Sequence, residues 1–308
     1  MLSVMNRHVL PQVLAIAVGI LLACPTSTAG ASPSVAQKWV PPSYGGTQPV
    51  GAVPTRVDVY TDPSILPGEP LELRISSPSS SYRISITRET YAGESGPLVA
   101  FEADQTDGVD QTGAVTWDAS TATARANWAT SLSVDTTGWE PGVYSIATSD
   151  GDPLHDGSGL FVVRTPSVGP SPLFAMSLLT YQAYNSWGGA SYYSTPRSVR
   201  LSFDRPYINL DNVKHGWAAE VDWVRWLSRR VVGLQYTTDY DLSVEVPDGQ
   251  PSALLLGQHA EYIGATMRNW VDRVSGDRGG MELANFGANA FYWQTRLERG
   301  PSADSPLE

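Results

Sequence analysis

A histidine and a carboxylate two residues apart, His259 and Glu261, directly follow the apolar run Ser252-Ala-Leu-Leu-Leu-Gly257. A carboxylate at the end of a buried strand needs a partner, because an unpaired buried charge is costly. Glu261 is therefore a metal ligand or an acid–base group with His259 as orienter or proton carrier, or it caps the helix beginning near Ile263 or pairs with Arg268. A second run, Leu173-Phe-Ala-Met-Ser-Leu-Leu179, ends at Thr180-Tyr-Gln-Ala-Tyr-Asn185. The phenols of Tyr181 and Tyr184 are protonated at neutral pH unless a trivalent cation stabilises the phenolate; their other role is aromatic packing. A third segment, Gly287-Ala-Asn-Ala-Phe-Tyr-Trp293, carries Asn289, with Arg296 just beyond. Asn185, Asn289 and Arg296 have the donors and acceptors to hold an amide or carboxylate, or to satisfy buried backbone groups.

Several other chemistries lack their residues. Past the N-terminal segment the histidines are His155, His215 and His259, and there is no cysteine, so the common His- and Cys-based zinc sites are not available. No Gly-x-Ser-x-Gly elbow, Walker loop or dinucleotide fingerprint follows an expected strand. The net charge of −11, with Lys38 and Lys214 as the only lysines, opposes a nucleic-acid backbone as the main partner.

The elements that must position these residues fall into two halves. Between residues 55 and 165 the apolar residues alternate, as in Leu71-Glu-Leu-Arg-Ile75 and Tyr82-Arg-Ile-Ser-Ile86, and turns rich in Gly, Pro, Asp and Ser separate the runs. That pattern predicts a small antiparallel β-sandwich. From residue 171 to 298 strand-like and helical runs alternate. The spacing predicts a helix over 218–230 that buries Val221, Val224 and Leu227, and another over 263–274 with Met267, Trp270, Val271 and Val274 on one face. Strand, helix, strand implies right-handed crossovers and a mainly parallel sheet, with its crevice beyond the carboxyl ends of the strands. The fold expected is thus an α/β domain with a mainly parallel sheet, preceded by a small sandwich, as two domains.

The N-terminal apolar run Val13–Ala23 follows Arg7 and is too short to span a bilayer permanently, so it reads as an export signal. Ala29-Gly-Ala31 offers ordinary cleavage, giving a signal of 1–31. Leu21-Leu-Ala-Cys24 offers the lipoprotein alternative, a signal of 1–23 and a lipid anchor on Cys24 as the one route to a membrane. Residues 32–54 form a Pro/Ser/Gly-rich linker and 299–308 a tail. The expected location is extracytoplasmic or secreted.

Five segments together resemble the large (beta) subunit family of N,N-dimethylformamidase: Thr180-Tyr-Gln-Ala-Tyr-Asn-Ser-Trp-Gly-Gly189, Val199-Arg-Leu-Ser-Phe-Asp-Arg-Pro-Tyr207, Tyr236-Thr-Thr-Asp-Tyr-Asp-Leu242, Gly257-Gln-His-Ala-Glu-Tyr262 and Asn289-Ala-Phe-Tyr-Trp-Gln-Thr-Arg-Leu297. The resemblance covers about residues 170–298, and the sandwich resembles the preceding family domain more weakly. It implies hydrolysis of a small amide or formamide-like C–N bond at an Fe(III) ion held by two tyrosines and a glutamate. Carried over by motif, the ligands are Tyr144, Tyr181 and Glu261, with His259 and Asn289 as catalytic residues. The motif reads His-Ala-Glu-Tyr-Ile here where the family has His-Asp-Glu-Tyr-Trp. The alternative function is a secreted or surface module that binds a small ligand without turnover. The sheet is expected to lack its last strands, which leaves an edge for pairing with a second copy.

Overall fold

The computed structural model describes residues 56–298 apart from 94–95, 209, 211–216, 258 and 277–278. The expected export signal with Cys24, the expected linker and tail, and His215 lie outside the described residues. Within residues 41–308 the chain is one compact unit of mixed α/β structure, mostly strands with few helices.

The first half contains β1 (Asp58–Tyr60), β2 (Ser64–Ile65), β3 (Leu71–Ser76), β4 (Tyr82–Arg88), β5 (Leu98–Gln105), β6 (Val115–Asp118), β7 (Thr123–Ala126), β8 (Leu132–Val134), β9 (Gly142–Ser149) and β10 (Gly157–Val163). One sheet has the order β1-β3-β8 and the other β2-β10-β9-β4-β5. All pairings are antiparallel except β2 with β10. Leu71, Leu73 and Ile75 of β3 meet Ile84 and Ile86 of β4 in the core, while Glu72 and Arg74 face outward, as period two requires. The β6–β7 hairpin stands apart as its own two-stranded ladder.

The second half contains β11 (Leu173–Met176), α1 (Leu178–Tyr184), α2 (Trp217–Arg230), β12 (Gln235–Thr238), α3 (Asp239–Val244), β13 (Ala253–Leu256), β14 (Tyr262–Gly264), α4 (Ala265–Val274), β15 (Glu282–Asn285) and β16 (Trp293–Thr295). Strands β12-β11-β13-β15 form an all-parallel sheet, so the first strand is central and the connections leave it in opposite directions. Leu173 and Ala175 of β11 join Leu254 and Leu256 of β13 under α3 and α4, in a core with Met267 and Trp270. Phe174, Met176 and Leu255 face the other way, towards Val224 and Leu227 of α2.

That second core also contains Val143, Leu160 and Val162 of the sandwich, while their neighbours Tyr144, Phe161 and Val163 point into the sandwich core. Strands β9 and β10 are therefore buried on both faces, which is why Gly159-Leu-Phe-Val-Val163 shows no alternation. Two separate domains were expected; instead the sandwich and the parallel sheet are adjoining layers of one unit that share a core. A further difference lies at Leu178 and Leu179, expected as the end of a strand and found as the first turn of α1. An apolar run buried all round carries no period by which strand and helix can be told apart. Val221 is only partly buried, at the flank of the stripe formed by Val224 and Leu227. No helix among the described residues is long and apolar enough to cross a membrane.

Candidate functional site

The segments that carry Tyr181, Tyr184 and Glu261 leave the sheet where β11 and β13 end side by side. From β11 the chain passes through Ser177 into α1. The buried carboxylate of Asp239, at the end of β12, accepts from the backbone N–H of Leu179 at 3.1 Å and so completes the helix start from a neighbouring strand. From β13 the chain turns through His259, whose φ of 48° lies in the left-handed region that a side chain resists. The turn brings the N–H of Glu261 to the Thr180 hydroxyl at 3.0 Å, tying it to α1.

Glu261 is 3% exposed, and each of its carboxylate oxygens accepts a different phenol. Tyr184 donates to Oε2 at 3.1 Å and Tyr193 to Oε1 at 2.9 Å. The Tyr193 hydroxyl lies 2.6 Å from that of Tyr262. The rings of Tyr184 and Tyr193 stack at 4.1 Å, which aligns both hydroxyls on the carboxylate. Burial first, then the neighbouring phenol and carboxylate, raise the pKa of Tyr184 and keep it a donor. Tyr193 is raised as well, again chiefly by burial. Yet Tyr193 is 45% exposed, so the cluster opens to solvent on its side.

The loop between α1 and Tyr193 is held from beneath by Arg205. Its fully buried guanidinium donates to the carbonyls of Gln182 at 2.9 Å, Ala190 at 3.2 Å and Trp187 at 3.4 Å, and to the Gln182 side chain at 3.1 Å. Burial lowers its pKa to about 10. Asn185 spends its amide on the Pro206 carbonyl and the N–H groups of Trp187 and Ile208, the backbone-satisfying role. At Gly188, with φ at 78°, a side chain would also strike Ala124, so only glycine fits.

The residues implied by the resemblance are placed as follows. Glu261 is buried beyond the end of β13, neither capping α4, whose N-cap is Gly264, nor paired with Arg268, which binds Asp272 instead. His259 is half-buried on the same turn. Asn289 is exposed after β15, with φ at 54°. Tyr181 points from α1 to the carboxylate of Glu220, the buried acid in the first turn of α2, and donates a hydrogen bond to it. Burial, then the Glu220 charge, raise its pKa. Tyr144 lies in the sandwich core between Trp139 and Phe161, and its hydroxyl donates to the Glu140 carbonyl at 2.8 Å. A tyrosine near the start of a strand bonding back four residues is the tyrosine corner that stabilises sandwich folds. Burial pushes its pKa up to about 12.

Tyr144, Tyr181 and Glu261 thus have three separate sets of hydrogen-bond partners. Among the described residues no three His, Cys, Asp or Glu side chains gather at a point, so the oxygen-rich cluster is one of phenols around a single carboxylate. Sequence reasoning missed Tyr193, Tyr262 and Glu220. Tyr262 ends the quoted segment Gly257–Tyr262 and Tyr193 lies four residues past Gly189, but neither spacing nor period marks them as partners of Glu261.

A parallel α/β sheet under a sandwich, with a carboxylate–phenol cluster where its central strands end, defines the class. The N,N-dimethylformamidase beta subunit-like, C-terminal family model matches residues 83–305, and the chain belongs to that family. The match reaches back to β4 and so takes in most of the sandwich as well as the parallel sheet. No curated protein matched the chain.

Proposed function

We propose that this chain hydrolyses the carbon–nitrogen bond of a small amide of the formamide type. Family membership supports an amide hydrolase. The observation that carries the reading is the pair of phenols, Tyr184 and Tyr193, each hydrogen-bonded to one oxygen of the nearly buried Glu261 at the strand ends. A carboxylate there is a general base, and two protonated phenols held beside it are donors for a carbonyl oxygen.

In this reading Glu261 takes a proton from water while the water oxygen bonds to the carbonyl carbon. Tyr184 and Tyr193 turn their hydroxyls from the carboxylate to the carbonyl oxygen as it gains charge. The proton then passes from Glu261, with His259 as carrier, to the departing nitrogen. The C–N bond breaks, leaving a carboxylic acid and an amine. Asn289, on the turn after β15, orients the substrate amide from the solvent side.

The test is incubation of the purified protein with N,N-dimethylformamide and related small amides, measuring amine and acid release. Release by the wild type, and its loss in Glu261→Gln with the fold retained, supports the reading. A folded protein that binds these amides and releases no amine would instead be a ligand-binding module. Extracytoplasmic location is proposed on the N-terminal apolar run, and N-terminal mass separates a lipid-modified Cys24 from cleavage after Ala31. Pairing of two copies is proposed along β15, an edge strand whose exposed Leu283 and following Phe286 support it; sedimentation at two concentrations tests it.

A further inference from the structure

We infer that the groove between Arg164 and α3 is a second ligand site, built for an apolar α-amino acid in its zwitterionic form. The groove measures about 480 Å³, within the range of about 300–1,000 Å³ usual for small-ligand pockets. It lies at the seam of the sandwich and the parallel sheet and shares no residue with the Glu261 cluster.

Three observations carry the inference. The first is Arg164, which directly follows β10. Its backbone N–H donates to the Ile65 carbonyl at 2.8 Å, which fixes where the side chain begins. Among the described residues its guanidinium makes no hydrogen bond. Its Nε is covered by protein, and the nearest carboxylate oxygen, Oδ1 of Asp241, stands 3.6 Å away. The side chain is 34% exposed, so part of the fork is open to the groove it lines. Such a fork takes a carboxylate through two parallel N–H donors.

The second is Asp241, in the first turn of α3. Its Oδ1 accepts from the Ser64 hydroxyl at 2.7 Å and its Oδ2 from that of Thr238 at 2.6 Å, so the carboxylate is held in place. Glu245 and Asp248 line the same groove. Three acids against one arginine disfavour a simple anion, whereas a ligand that brings its own ammonium group complements both signs. An α-amino acid carries ammonium and carboxylate on one carbon, side by side as Asp241 and Arg164 are. The third is the apolar wall: Leu173 and Leu242 are core residues, Val168 and Val246 pack against the same core, and all four line the groove. They offer an aliphatic side chain a surface away from water.

The inference does not rest on the hydrolase reading, because binding is read without turnover. The experiment is isothermal titration of the full-length protein with L-leucine, and we expect about one per chain. Isocaproate lacks the ammonium group, leucinamide lacks the carboxylate, and ε-aminocaproate holds the two charges apart. Each should bind about tenfold or more weakly, since each leaves a charged partner unmatched. Arg164→Gln should weaken leucine binding by a similar factor, with circular dichroism confirming the fold; should that variant not fold, the analogue series on the wild type decides. N,N-dimethylformamide should not displace leucine. A folded wild type that takes up no leucine overturns the assignment. So does isocaproate or leucinamide binding as tightly as leucine, or an Arg164→Gln protein that binds leucine as the wild type does.

Discussion

The phenol of Tyr181 donates a hydrogen bond to the carboxylate of Glu220, and both side chains are 1% exposed. Glu220 in turn lies against Gly257, where a Cβ would overlap its carboxylate. One buried pair therefore joins α1, the start of α2 and the turn that leads to Glu261. Tyr181→Phe removes the donor and leaves the carboxylate buried, which should cost about 1–3 kcal/mol. Gly257→Ala should destabilise by about 1–3 kcal/mol through overpacking against Glu220. Urea unfolding of both variants measures this, and unchanged midpoints would mean the pair is not closed in solution.

Removing Arg205 should loosen the cluster from below. Arg205→Met leaves the carbonyls of Gln182, Trp187 and Ala190 without their shared donor, at a cost of about 3 kcal/mol or more. Limited proteolysis should then cut between residues 182 and 193 at a rate the wild type does not show. A variant as resistant as the wild type would refute the strap.

Tyr144→Phe should act as the loss of a tyrosine corner and nothing more. Its hydroxyl makes one bond, to the Glu140 carbonyl, so the expected loss is about 1 kcal/mol with ring stacking retained. Thermal unfolding measures the loss, and amine release from a small amide should match the wild type. Loss of turnover with an unchanged melting temperature would return Tyr144 to the site.

At the far end of the sandwich, Ser79 and His155 both bond to Asp150, with His155 Nδ1 at 2.9 Å. These hydrogen bonds, Ser79 first, hold the Asp150 pKa down to about 2, and the bond to Asp150 raises that of His155. The signs follow from linkage. The Asp150 contribution is present above the unfolded carboxylate value of about 3.9 and is lost as pH falls through about 2. The His155 contribution is full below the unfolded value of about 6.5 and is lost as pH rises through the higher folded one. His155→Ala should remove the neutral-range dependence. Melting temperature against pH for both proteins checks it, and parallel curves would show that the pair contributes nothing.

Much of the architecture is legible in local pattern, because periodicity reports which faces of an element are buried. The alternation in Leu71–Ile75 is enough to specify a half-buried strand, and the spacing of Met267, Trp270 and Val271 specifies α4. The position of Glu261 at a strand end follows from the same reasoning, since strand order places the crevice there. Tertiary structure alone decided what Glu261 touches. Tyr181 and Tyr184 are three residues apart on α1, about 60° apart around the helix, so spacing cannot say which one faces the carboxylate. The helix phase, set by where α1 starts, sends Tyr181 to Glu220 and Tyr184 to Glu261. Tyr193 comes from a loop with no period at all, and its hydroxyl reaches Glu261 only because Arg205, 12 residues later in the chain, gathers that loop's carbonyls. Local sequence encodes burial; the meeting of polar groups from distant segments depends on how the buried faces pack, and packing is a property of the whole chain.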